Sequence, residues 1–155
     1  MPKFSTTRRV NLSVEQAFAI AADVASYKDF LPLLKRSAIR GEHKRVGDIE
    51  KFDADLQVAF EKLGLRETFT SQVTSNTADH TVTAISSDGP MKSLKAVWRI
   101  TGVENGMTDV SFTVEYTMKS MMLQMVAGRL TDFAAQKIMQ AFECRGKALY
   151  GNAMS

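Results

Sequence analysis

The chain has a single cysteine, Cys144, among its 155 residues. An intramolecular disulfide is therefore impossible, and nothing calls for an oxidising compartment. No motif ties a basic residue to that thiol, so Cys144 reads as structural. The two histidines, His43 and His80, stand apart in polar, turn-like surroundings and read as surface residues. There is no helical pair of metal ligands, no glycine-rich phosphate loop and no nucleophile elbow. No apolar run approaches the ~18 residues of a membrane span, and the opening residues lack the apolar core of a signal peptide, so a cytoplasmic chain is expected. Twenty basic against seventeen acidic residues leave only +3. That is a weak pull toward nucleic acid, and DNA is not an expected partner. No repeat, low-complexity tract or linker divides the sequence, which predicts one domain over 1–155.

What is present is organised around the last long segment, Met121 to Tyr150. Apolar residues at Met122, Val126, Leu130, Phe133, Ala134, Ile138, Ala141, Phe142 and Leu149 recur at three-and-four spacing and predict one amphipathic helix packed along that face. Gln124, Gln136, Gln140, Glu143 and Lys147 suit water on the other side, and Gly151 marks the stop. Gly128, inside the helix, costs about 1 kcal/mol relative to alanine and signals a bend or a close approach.

Upstream, Lys3 to Val10 predicts an edge strand. Ser13 with Gln16 predicts a capping box that opens a short helix. A second helical turn over Ser26 to Leu31 should end before Pro32. From Ser37 the apolar period changes to two. Phe52, Ala54, Leu56, Val58 and Phe60 alternate with polar residues in the strand Ile49 to Phe60. Leu65, Phe69 and Val73 follow in Leu65 to Thr74, and His80 to Ser86 adds another strand. Leu94, Ala96, Trp98 and Ile100, then Val110, Phe112, Val114, Tyr116 and Met118, do the same around Asn105-Gly106, a hairpin signal. One-faced alternation with short connections predicts an antiparallel sheet with one wet face.

The inward faces outnumber the apolar stripe of the helix. That surplus fits either a packed core or an apolar cavity. Met91, Met118, Met121, Met122 and Met125 fit either gap filling or an adaptable binding surface. Strict alternation puts Glu67 inward, where a carboxylate needs a partner or a raised pKa, unless a bulge or open strand end relieves it. The run Lys35 to Arg45 carries Arg36, Arg40, Lys44 and Arg45, which suit an anionic lipid surface, ribosomal RNA or a solvated edge.

Three stretches carry a family resemblance: Val24-Ala25-Ser26-Tyr27-Lys28-Asp29-Phe30-Leu31-Pro32, Asp88-Gly89-Pro90-Met91-Lys92-Ser93-Leu94 leading to Trp98, and Ala141 to Gly151. Together they resemble the coenzyme Q-binding START-domain family of the polyketide cyclase/dehydrase superfamily. The resemblance covers nearly the whole chain and implies an α+β helix-grip fold: a curved antiparallel sheet of six to seven strands around a long C-terminal helix, with two short helices after the first strand. It also implies a non-catalytic apolar tunnel for ubiquinone or a similar polyisoprenoid, in support of respiratory electron transfer, with no cofactor beyond the bound quinone. Leu31, Pro32 and Trp98 match motif positions at its mouth and wall. Leu33-Leu34 stands where a Trp-Cys pair often follows in the family. Inward alternation adds Phe52, Leu56, Val58, Phe69, Val73, Phe112, Val114 and Tyr116 as expected wall residues; Met91 joins from its loop, and Met122, Val126 and Phe133 from the helix. The family also includes bacterial ribosome association toxins, so the ribosome stands as an alternative partner, and a cyclase or hydrolase with Glu67 as base is a further alternative. A transient contact with the inner membrane surface is expected of a quinone carrier.

Overall fold

The computed structural model describes residues 3–32, 34–60 and 64–150, with the side chains of residues 60, 65 and 130–132 outside that description. Leu33 at the mouth, Gly151 as helix stop and the inward side chains of Phe60, Leu65 and Leu130 accordingly lie outside the described residues.

Strand β1 (Lys3–Val10) leads into α1 (Val14–Ala22). Helix α1 starts at the expected capping box, with the Ser13 hydroxyl accepting from the Gln16 amide and the Gln16 side chain accepting from the Ser13 amide. A 3-10 turn (Val24–Asp29) stands in place of the expected helical turn. Six strands follow: β2 (Leu34–Val46), β3 (Ile49–Phe60), β4 (Leu65–Asn76), β5 (Thr81–Ser86), β6 (Met91–Gly102) and β7 (Thr108–Met118). Helix α2 (Met121–Tyr150) ends the description.

The strands form one antiparallel sheet in the order β1-β7-β6-β5-β4-β3-β2. The chain's first strand therefore closes the sheet beside its last, and β2 is the far edge. The sheet curves, and α2 lies in its concave side as the helix-grip arrangement requires. Between β2 and β3 the register jumps at Arg40/Lys44, so three residues oppose Phe52 alone. This bulge starts the exposed far end of the β2–β3 hairpin, an arm whose residues from Arg40 to Ile49 are all exposed and in which β3 stays paired with β4 as far as Ile49.

The core is densest where the C-terminal half of α2 meets α1 and β1. Phe142 and Met139 are almost fully buried, and Phe142 lies 5.2 Å from the Trp98 ring. At Gly146 an added Cβ would stand 2.7 Å from Leu12 Cδ1, so this glycine permits the close approach. At Gly128 a Cβ would meet nothing within 4 Å. Of the two readings of Gly128, a bend or a close approach, the close approach is not found there, and it is Gly146 that permits one. Arg8 donates to Glu143 at 3.2 Å and ties β1 to the helix.

The packing face of α2 also differs from expectation. Ile138, Met139 and Phe142 point to the core, whereas Met122, Phe133 and Leu149 are exposed. At ~100° per residue, Met122, Val126 and Phe133 lie nearly half a turn away from Ile138 and Phe142, whereas Leu149 shares the face of Ile138 and Phe142 and is exposed at the end of the helix. The three-and-four spacing had merged two stripes.

Candidate functional site

Across the middle of the concave face, Val73, Ala84 and Ala96 sit in register on β4, β5 and β6. Ser71 lies one pleat away on β4, fully buried. Three of these four side chains are too small to reach the helix. On one side Trp98 lies 4.2 Å from the Phe112 ring and leans on Phe142, forming an aromatic wall. The 3-10 turn adds Val24 and Tyr27, and Ile138 contributes from α2.

A cavity of ≈ 240 Å³ remains between sheet, turn and helix. An engineered apolar cavity of about 150 Å³ stays dry and accepts benzene, whereas drug-sized pockets begin near 300 Å³. The space thus suits a ring or a short branched chain. It is a pocket with one open side where a tunnel was expected, because the Trp98 and Phe112 rings stand at one end with Phe142 packed against Trp98. The half-buried lining residues Leu31, Pro32, Leu34, Leu56, Val58 and Leu94 mark its open side.

Of the wall residues expected from sequence, Leu31, Pro32, Leu56, Val58, Val73, Trp98 and Phe112 line this cavity. Phe52, Phe69, Met91, Val114 and Tyr116 are buried but lie outside its lining. Phe52 is covered by the His43 ring at 4.6 Å, and Phe69 packs beneath Gly89, while Val114 pairs with Phe4 on the edge strand. Met122, Val126 and Phe133 are not brought to it, for the phase reason given above. Val24, Tyr27, Leu34, Ser71, Val82, Ala84, Leu94, Ala96 and Ile138 were not among the expected wall residues. Alternation does place Leu94 and Ala96 inward, but an inward alanine reads as filler until its neighbours are known to be small.

The polar groups of the lining are Ser71, Tyr27 and Trp98. The Tyr27 hydroxyl donates to the Ala21 carbonyl, so its proton is committed. Burial pushes the phenol above its ordinary value; the Trp98 indole N–H opposes this and Asp23 adds to it. Ser71 Oγ donates to the Ile85 carbonyl at 3.4 Å, a long bond. Ser71 is thus the hydroxyl in the lining most readily turned toward a guest oxygen.

Glu67 lies opposite Val58 on the concave face, as alternation predicted, but it is half-buried and does not line the cavity. The segment Lys35 to Arg45 forms β2 and the arm. There the Arg40 side chain contacts Asp55 at 3.1 Å, and His43 and Arg45 contact Glu50 at 3.1 Å and 3.9 Å. His80, expected at the surface, is half-buried with its ring 5.4 Å from Phe18. Among the described residues no three His, Cys, Asp or Glu side chains gather as metal ligands, and no helix is long and apolar enough to cross a membrane.

Residues 10–143 match the family described as polyketide cyclase / dehydrase and lipid transport. The chain belongs to that family. It is 30% identical over 155 residues to the ribosome association toxin RatA of Vibrio cholerae, covering 97% of this chain and 99% of that one. It is 29% identical over 153 residues to the mitochondrial coenzyme Q-binding protein COQ10 homolog B of Xenopus laevis, covering 96% of this chain and 59% of the relative. The START superfamily protein of Mycobacterium smegmatis superposes with a TM-score of 0.76 at 19% identity, over 95% of this chain and 98% of that one, and shares the fold. The relatives' names describe a toxin and a binding protein, while the family includes cyclases.

Proposed function

We propose that this polyketide cyclase-family protein is a non-catalytic binder that holds a polyisoprenoid quinone of the ubiquinone type in the cavity under α2 and serves respiratory electron transfer as a carrier. The observation that carries the reading is the ≈ 240 Å³ of apolar space floored by Ser71, Ala84 and Ala96. Each buried methylene contributes ~0.8 kcal/mol, so one five-carbon isoprene unit contributes ~4 kcal/mol, against ~1 kcal/mol for a neutral hydrogen bond. The hydrocarbon gives the affinity. A single hydroxyl at Ser71 can then serve one of the two carbonyl oxygens of a neutral quinone, and no charged group in the lining demands an ionic headgroup. A longer tail would leave past Leu31 and Pro32. Solvent extraction of the purified protein followed by mass spectrometry tests this, together with uptake of added ubiquinone. Recovery of a prenyl quinone at up to one per chain supports it; a protein always empty and unable to take up ubiquinone rules it out.

A second reading, ribosome association, is favoured by the full-length match to RatA and by the exposed β2–β3 arm. Against it, Asp55 and Glu50 already engage Arg40 and Arg45. Salt-sensitive co-sedimentation with ribosomal subunits, abolished by Arg36→Glu, Arg40→Glu and Arg45→Glu together, would favour this reading over the first.

A further inference from the structure

The two halves of α2 obey different rules. Beyond Ala135 its outward positions are mostly polar, with Gln136, Gln140 and Lys147 exposed. In the first half Leu123 and Ala127 are half-buried, yet Met121, Met122 and Met125 on the outside are 85%, 63% and 60% exposed, and Phe133 is 49% exposed. A helix segment apolar on both faces is normally covered on both. Single exposed apolar residues need no explanation, but Met121, Met122 and Met125 on adjoining turns, with Phe133 about two turns further along the same side, form a patch.

The charges around this patch say what covers it. Between Lys119 and Lys137 the sequence holds three cations, with Arg129, and one acid, Asp132. Lys119, Arg129 and Lys137 are exposed, and the Lys137 ammonium lies 5.7 Å from the centre of the Phe133 ring. Among the described residues Arg129 has no ion pair. A second copy docked here by two-fold symmetry would set the same cations against each other. A bilayer surface instead offers an apolar layer for the thioethers and phosphates for the ammonium and guanidinium groups, which snorkel from the apolar edge.

We infer that the first half of α2 docks on an anionic lipid bilayer through Met121, Met122, Met125 and Phe133, with Lys119, Arg129 and Lys137 on the headgroups. This deepens the ligand reading by naming the bilayer as the phase from which a prenyl ligand is collected, but it rests on a different face of the helix. The test is flotation of the full chain with vesicles of phosphatidylcholine alone or mixed with phosphatidylglycerol, at low and high salt. Binding to the anionic vesicles is expected, weakened by salt, lowered about fivefold by Arg129→Gln, and lowered at least about tenfold by Met122→Ser with Met125→Ser. Both variants, altered only at exposed positions, are expected to take up ubiquinone delivered from detergent as wild type does, and to take it up from vesicles less well in proportion to their lost vesicle binding. Absence of wild-type vesicle binding, or unchanged binding by the double variant, overturns the inference. So does a wild-type dimer that the double substitution dissociates, because the patch then belongs to a second copy. Vesicle binding by a protein that never retains a prenyl ligand upholds the docking surface and removes the ligand reading alone.

Discussion

Ala96→Leu tests whether the space beneath α2 is a true void. Ala96 lies on β6 with its side chain toward the cavity, flanked in register by Ala84 and Val114. In a packed core the three extra carbons would force neighbours off their rotamers and cost ~1–3 kcal/mol. In an empty apolar space they gain up to ~0.8 kcal/mol each, ~2.4 kcal/mol in all, less ~0.5–1 kcal/mol of lost side-chain freedom. The net is a stabilisation on the order of 1 kcal/mol or slightly more in the ligand-free protein, seen as a Tm rise of about 2–4 °C for a chain this size. Filling the floor should at the same time abolish ubiquinone uptake. The assays are a thermal melt and urea titration of delipidated protein, with a ligand-uptake measurement on the same samples. A variant destabilised by a few kcal/mol, with uptake unchanged, would refute both the void and its placement.

Other substitutions test other parts of the account. Ser71→Ala should weaken a quinone about fivefold in a binding titration while leaving a prenyl hydrocarbon of equal length unchanged. Gly89→Ala should cost at least ~1–2 kcal/mol in a urea titration, because φ is +59° there and a Cβ would stand 2.5 Å from the Thr68 carbonyl oxygen. Asp55 is held below the usual carboxylate range, first by the Thr70 hydroxyl and then by Arg40. With its folded value depressed, its contribution is complete above the unfolded value near ~4 and is lost as pH falls through the folded value. The group is half-buried on the solvated face and its partner Arg40 is exposed, so screening holds this to less than ~1 kcal/mol. Asp55→Asn should therefore narrow the difference between urea midpoints at neutral pH and below pH ~4; an unchanged difference would exclude Asp55 from the acid response.

Much of the fold was legible because alternation reports which face of a strand is wet. Strand Ile49–Phe60 was bounded by its period of two, and Ser13 with Gln16 marked the start of α1. The Asn105-Gly106 signal did mark a reversal, although a short 3-10 turn over Glu104–Gly106, with both residues at positive φ, makes it wider than a two-residue hairpin. The strand β2 starts at Leu34, earlier than the period change at Ser37, because Leu34 pairs with Val58 across a register shift. The site was less legible. A pattern of apolar and polar letters carries no volumes, so the gap left by Ser71, Ala84 and Ala96 was invisible, and those three residues define the cavity. Tyr27 was hidden for another reason: its role depends on a hydroxyl bonded to Ala21 across a turn. In α2 the first half is apolar on both faces, so spacing alone gave the wrong phase for Met122 and Phe133.

Trp98 is the only tryptophan in the sequence, and it forms the wall of the cavity. Quinones quench indole emission on contact, so titrating delipidated protein with ubiquinone while following Trp98 fluorescence reads occupancy at the proposed site itself. A saturable loss of emission with one ligand per chain, absent in Ala96→Leu, is the predicted result. Emission that falls only in proportion to added quinone, and equally in the variant, would contradict the claim that the helix and sheet enclose a binding site.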